Sequence, residues 1–215
     1  MTPSGPAEGE KRRALRIGIT GPIGCGKSTI ARWLAERPGV VVVDADRVAR
    51  DVLDRGQPAV DAVVARFGAE LMRPDGELDR AALGRLVFSD PAALRDLESI
   101  VHPAVRPRIL AAIAEADAGG ASAVVVEAIK LVEGGLATEC DEVWLVTCAP
   151  RVQRARLIGR GSSDDDADRR IAAQGDLAGR IEPVASRVID ASRGASETRR
   201  SARAAFDWAI RRHRA

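Results

Sequence analysis

The chain has 215 residues, of which 46% are hydrophobic and 30% charged, with 33 Lys and Arg against 31 Asp and Glu and a net charge of +2. That length suits one domain able to bury roughly 70% of its extended surface, and the composition excludes wholesale disorder, a collagen-like chain and a disulfide scaffold. The balanced charge advertises neither a nucleic-acid nor a membrane partner, and no apolar run is long enough to span a bilayer.

The first 13 residues lack an apolar signal-peptide core, so they are expected to form a disordered tail on a cytoplasmic protein. Leu15–Thr20 (LRIGIT) is the first strand candidate. The four valines at 40–43 fit a strand covered on both faces. Residues 123–129 (AVVVEAI), Glu142–Thr147 and the shorter Arg187–Asp190 read the same way. Between them, apolar residues recur at helical spacing: Ile30, Trp33 and Leu34; Val60, Val63, Val64 and Phe67; Leu83, Leu86 and Val87; Ala202, Phe206, Ala209 and Ile210. Apolar strands alternating with amphipathic helices predict an α/β fold with a parallel five-stranded sheet. Pro91 after Asp90 and Pro103 after His102 each suit a first helical position, and Pro107 then calls for a kink or a later start. The second and third strands lie nearly 80 residues apart, far more than one crossover needs, so 58–119 reads as a helical insertion. A second helical excursion fills 150–178. The expected core is therefore 14–57, 120–149 and 179–215 of a single domain. Cys25, Cys140 and Cys148 are too few and too irregular for a zinc site or a disulfide framework, and they fit a reducing setting.

The chemistry concentrates at residues 21–28, GPIGCGKS, which match G-x-x-x-x-G-K-[ST] between a strand and an amphipathic helix. Gly21, Gly24 and Gly26 let backbone N–H groups turn inward around an anion, and the helix beginning near Lys27 adds its positive end. Lys27 is a point charge for the outer phosphates, and the Ser28 hydroxyl is placed to hold Mg²⁺. Cys25 either fills a small-residue position or is sensitive to oxidation. Asp44 and Asp46 follow the second strand directly, where parallel sheets bind ligands. Beside a triphosphate, one suits accepting a proton from an attacking hydroxyl and the other suits holding Mg²⁺; alternatively one of them caps the next helix. Arg156 and Arg160 stand four apart, so a single helix face presents both to an oxyanion, and Gly161 is a plausible terminator. The acids at 164–166 read as a charged first helical turn. His102 is open between a helix cap and a ligand contact. Glu127 and Lys130, near the third strand's end, are further candidates: Glu127 is open between reaching Mg²⁺ or water and a structural hydrogen bond, and Lys130 could reach a phosphate or carboxylate.

GPIGCGKST and DADRVAR, with GQPA at 56–59, DGELDRAALGRLVF at 75–88, His102-Pro103, EAIKLVEGGL, RIAAQ at 170–174 and VID at 188–190, resemble the dephospho-coenzyme A kinase family over nearly the whole chain. The resemblance implies a P-loop kinase fold with a helical acceptor-binding insertion and a helical lid. It implies phosphoryl transfer from ATP, with Mg²⁺, to the ribose 3′-hydroxyl of dephospho-coenzyme A. On it, Asp46 is the general base, Asp44 lies near the metal or the acceptor, and Arg50 and His102 face the acceptor. The loop 21–26 with Lys27, Ser28 and Thr29 binds ATP, and Arg156 and Arg160 close over the phosphates. Two positions depart from the family pattern. Ile129-Lys130-Leu131 replaces the usual Pro-Leu-Leu, and Ala191 stands where an Asn is expected to support adenine or a left-handed turn.

Overall fold

The computed structural model describes residues 13–215; the tail expected at the N-terminus lies, but for Arg13, outside them. Five strands, β1 (Leu15–Thr20), β2 (Val40–Asp44), β3 (Ala123–Glu127), β4 (Glu142–Thr147) and β5 (Arg187–Asp190), form one sheet in the order β2-β3-β1-β4-β5. Every pairing is parallel, with Asp44 beside Glu127 and Glu127 beside Ile19 at the carboxyl edge. The central strands are apolar along their length because both faces are covered.

One face packs against α1 (Lys27–Ala35) and α9 (Ala195–Arg214), which bury Ile30, Leu34, Ala202, Phe206 and Ala209 on Ile17, Ile19 and Trp144. The other face meets α2 (Ala45–Asp51) and α5 (Pro91–Ala118), with Val101, Val105 and Ile109 against Val124 and Val126. Between β2 and β3, α3 (Pro58–Phe67), α4 (Arg80–Ser89) and the start of α5 enclose a satellite core of Val63, Phe67, Leu71, Leu83 and Val87. After β4 come α6 (Pro150–Ile158), α7 (Asp164–Gln174) and α8 (Leu177–Ile181). Ser163 caps α7, so Asp164, Asp165 and Asp166 form the charged first turn that the sequence suggests. Among the described residues no helix is long and apolar enough to cross a membrane.

Three expectations need correction. Pro91 does open α5 under the Asp90 cap, but Pro103 begins nothing: α5 runs 28 residues through both Pro103 and Pro107. Ser99, Pro103 and Pro107 share the exposed face, so the carbonyls deprived of a partner are left to water, while the buried face at 101, 105, 109 and 113 is uninterrupted. Arg160 is not on a helix face with Arg156. Gly159 caps α6, Gly161 takes the left-handed conformation expected of a terminator (φ 94°), and Arg160 falls in the turn between them. Finally, Cys25 and Cys148 are disulfide-bonded across 123 positions of sequence, with a Cα–Cα distance of 5.2 Å. Because β1 pairs with β4, the loops leaving their carboxyl ends are neighbours, which spacing alone does not reveal. Cys140 stays free, and burial pushes its thiol up to about 12.

Candidate active site

All five strands end at one edge, and the candidate residues gather there. β1 leads into the glycine loop, in which Gly21, Gly24 and Gly26 have φ of 137°, 77° and 106°. A Cβ on Gly21 would lie 2.1 Å from the Val146 carbonyl oxygen, so only glycine lets the chain leave β1 this close to β4. Lys27 opens α1 and is 6% exposed; its Nζ donates to the carbonyls of Gly21 (2.8 Å) and Pro22 (3.1 Å). Burial lowers its pKa, and Arg160 lowers it further, against the opposing pull of Glu127 and Asp46.

Three carboxylates cluster here: Asp46 and Glu127 interact with this ammonium, and Asp44 with both of them. Asp44 caps α2 by accepting from the Arg47 N–H at 3.0 Å, so the capping alternative is realised by this residue. Asp46 sits in the first turn of α2. Its side chain reaches solvent, yet the protein around it crowds the carboxylate. That burial, then Asp44, raises its pKa over the counter-effect of Lys27 and Arg50. Glu127, 6% exposed at the end of β3, accepts from the Ser28 hydroxyl at 2.5 Å. Burial first, with Asp44 and Asp46, raises its pKa against the Ser28 hydrogen bond and Lys27.

A groove of about 480 Å³ runs from Asp46 between α2, α5 and the segment after β3, over an apolar floor that includes Leu53, Val101 and Val105. Arg50, His102 and Lys130 line it. His102 is in mid-helix and faces the groove, so it caps nothing. Arg50 donates to the Asp46 carbonyl at 3.2 Å, and Lys130 is ion-paired with Glu98 of α5. On the other side of the loop, Thr29, Trp33, Arg156, Arg160 and Ala191 line a smaller pocket of about 180 Å³. Arg156 donates to the carbonyls of Cys25 (3.1 Å) and Ala191 (2.8 Å). Arg160 thus joins the same pocket from its turn. The turn at Ala191 needs no left-handed residue: Ser192 binds Asp190 through its N–H (2.9 Å), and its Oγ accepts from the Ala149 N–H at 2.8 Å.

Two residues escape sequence reasoning. Gln153 of α6, 7% exposed, donates to the Ile23 carbonyl at 2.9 Å, and Gln174 of α7 accepts from the Ile23 N–H at 2.8 Å. Together they clamp the outer bend of the glycine loop. Gln174 at least closes the RIAAQ stretch, but nothing local marks Gln153 beyond its place three residues before Arg156.

The donor set fits Mg²⁺. The Ser28 hydroxyl and Glu127 carboxylate are hard oxygen donors in mutual contact beside a phosphate loop. Among the described residues no three His, Cys, Asp or Glu side chains form a group that could hold a metal ion.

Comparison with known proteins narrows the chemistry. The dephospho-CoA kinase family model matches residues 15–197. A dephospho-CoA kinase of Symbiobacterium thermophilum is 44% identical over 88% of this chain and 79% of its own. One of Streptomyces avermitilis is 43% identical over 94% of this chain and 96% of its own. A crystal structure from Thermus thermophilus superposes with a TM-score of 0.75 at 32% identity, covering 90% of this chain and 96% of that one. With the P-loop, the paired acids after β2 and the groove between them and α5, these matches place the chain in the dephospho-CoA kinase family.

Proposed function

We propose that the chain transfers the γ-phosphoryl group of ATP to the ribose 3′-hydroxyl of dephospho-coenzyme A. The observation that carries this reading is the position of Asp46. Its carboxylate interacts with Lys27 of the phosphate loop and also lines the mouth of the acceptor-sized groove. A hydroxyl entering from the groove therefore meets a base and a phosphate site together.

On this reading the loop amides and Lys27 hold the outer phosphates of ATP. Thr29, Arg156 and Arg160 flank the donor. Ser28 and Glu127 would hold Mg²⁺, which supplies charge neutralisation at the transferring phosphoryl group. Asp46 orients the acceptor hydroxyl and takes its proton; a carboxyl pKa raised by burial makes it a stronger base than an exposed aspartate. Asp44 fixes the start of α2 and so the position of Asp46. Arg50, His102 and Lys130 present positive or polar groups to the acceptor's phosphates. Residues 58–119 supply the groove for the long acceptor arm, and residues 150–178 act as a lid that keeps water from the phosphoryl group. The enzyme acts in the cytoplasm, and its near-zero net charge supports no nucleic-acid or membrane partner.

An ADP-release assay with ATP, Mg²⁺ and a panel of dephospho-coenzyme A, AMP, CMP and shikimate tests the assignment. Dephospho-coenzyme A is expected to exceed every other acceptor by at least about 10²-fold in kcat/KM. Comparable turnover with another acceptor overturns it.

A further inference from the structure

We propose that Cys25 and Cys148 form a reversible thiol–disulfide site that fastens the phosphate loop to the root of the helix carrying Gln153 and Arg156. Cys25 stands two residues before Lys27, the first residue of α1, and Cys148 two before Pro150, the first of α6. Their Cα atoms are 5.2 Å apart, within the span a disulfide bridges without backbone movement. Cys25 is 1% exposed in the core between the sheet and α1, and Cys148 packs against the same cluster while remaining partly accessible. Both cysteines stand at the head of a helix, on neighbouring loops that leave the paired strands β1 and β4.

The bond adds a covalent link to parts already joined by hydrogen bonds, among them Gln153 to the Ile23 carbonyl, the Ile23 N–H to Gln174 and Arg156 to the Cys25 carbonyl. The stretch between Thr147 and Pro150 is the pivot at the leading end of residues 150–178. Cross-linking Cys148 to the loop fixes that pivot. The oxidised protein therefore closes and opens more slowly than the dithiol. This consequence for turnover rests on the proposed ATP site; the pairing itself does not.

Hydrogen peroxide is the oxidant considered. The Cys148 thiolate, the more accessible sulfur, attacks one peroxide oxygen. The O–O bond breaks, and the departing hydroxide takes a proton to leave as water, giving a sulfenic acid. The Cys25 sulfur attacks that sulfur, the S–O bond breaks, and a second water leaves with the Cys25 proton. Two thiols lose two electrons and two protons, and one peroxide becomes two waters. A dithiol reductant reverses the step through a mixed disulfide. Cys140, its thiol held protonated by burial, serves as an internal control.

The test uses the full chain and its Cys148→Ser and Cys140→Ser variants, each treated with peroxide or with dithiothreitol, then unfolded and titrated for thiols. The wild type is expected to show one thiol after peroxide and all three after reduction. Cys148→Ser is expected to show two after reduction and no Cys25–Cys140 bond after peroxide. Three thiols in the peroxide-treated wild type overturn the pairing. Turnover of the oxidised wild type is expected to fall about fivefold or more and to return with dithiothreitol, with Cys140→Ser behaving alike and Cys148→Ser indifferent. Trypsin cleavage within 150–178, which needs no substrate, is expected to slow about threefold on oxidation. Equal cleavage rates in the two redox states overturn the restraint even if dephospho-coenzyme A proves not to be the acceptor.

Discussion

Asp46 and Glu127 are held at a cost. Burial raises both carboxyl pKa values, the like charge of Asp44 raises both further and Asp46 adds to the shift at Glu127, while Lys27 offsets only part of it. An aspartate whose folded pKa lies above its unfolded one, about 3.9, contributes stability when protonated and loses that contribution as pH rises through the folded value. At neutral pH the ionised Asp46 therefore destabilises the fold, since burial and Asp44 outweigh Lys27 and Arg50. Asp46→Asn is expected to lower kcat by about 10²–10⁴-fold, the usual contribution of a positioned base, with little change in KM for ATP. The same variant is expected to melt above the wild type at neutral pH, and the difference is expected to narrow toward about pH 4. Steady-state kinetics and melting curves at two pH values check both halves; an unchanged kcat removes Asp46 from the chemistry.

Among the elements, α6 links the helical segment after β4 to the glycine loop, and the link is a buried amide. Gln153→Leu removes the donor to the Ile23 carbonyl and leaves that oxygen unpaired, a loss of about 1–3 kcal/mol that lowers Tm by about 3–8 °C in a chain of this size. Because the displaced bend is the phosphate loop, KM for ATP is expected to rise severalfold while kcat falls less. An unchanged KM together with a lowered Tm makes Gln153 structural only. The same helix shows where sequence reasoning succeeds and where it stops. The strands, the glycine loop, Asp44, Asp46 and the helical stretch 58–119 are legible because each is carried by local periodicity or a contiguous motif. Gln153 is not, because its meaning lies in a contact 130 positions away. The Cys25–Cys148 pair is hidden for the same reason. Arg160 is misplaced because the glycines at 159 and 161 end α6 at Ile158, two residues before it. Pro103 misleads because a helix so firmly anchored by Val101, Val105, Ile109 and Ile113 tolerates lost hydrogen bonds on its wet side.

For the whole molecule, the strand order β2-β3-β1-β4-β5 brings every functional segment to one edge. β1 delivers the glycine loop, β2 and β3 the acids, β4 the helices α6 to α8, and β5 the turn that receives Arg156 through Ala191. This edge is rigid only if both faces of the sheet stay covered, and the last helix closes one of them. The Arg-rich α9 is thus more than a solubilising tail. Phe206 is 3% exposed against α1, Arg37 stacks over its ring at 5.2 Å, and Arg37 is ion-paired with Asp207. Phe206→Ala leaves a cavity between α9 and α1, at a cost of about 3–5 kcal/mol. Tm is expected to fall by about 10 °C or more, whereas Arg212→Ala, on the exposed face of α9, shifts it by only a degree or two. Phe206 lines neither the groove nor the nucleotide pocket, so KM for both substrates at 25 °C should remain near the wild-type values in the folded fraction. Calorimetry and kinetics on the same preparations separate the outcomes. A Phe206→Ala protein that melts with the wild type would mean that α9 does not seal the sheet, and the rigidity of the site would then have to come from the opposite face, where α2 and α5 cover β2 and β3.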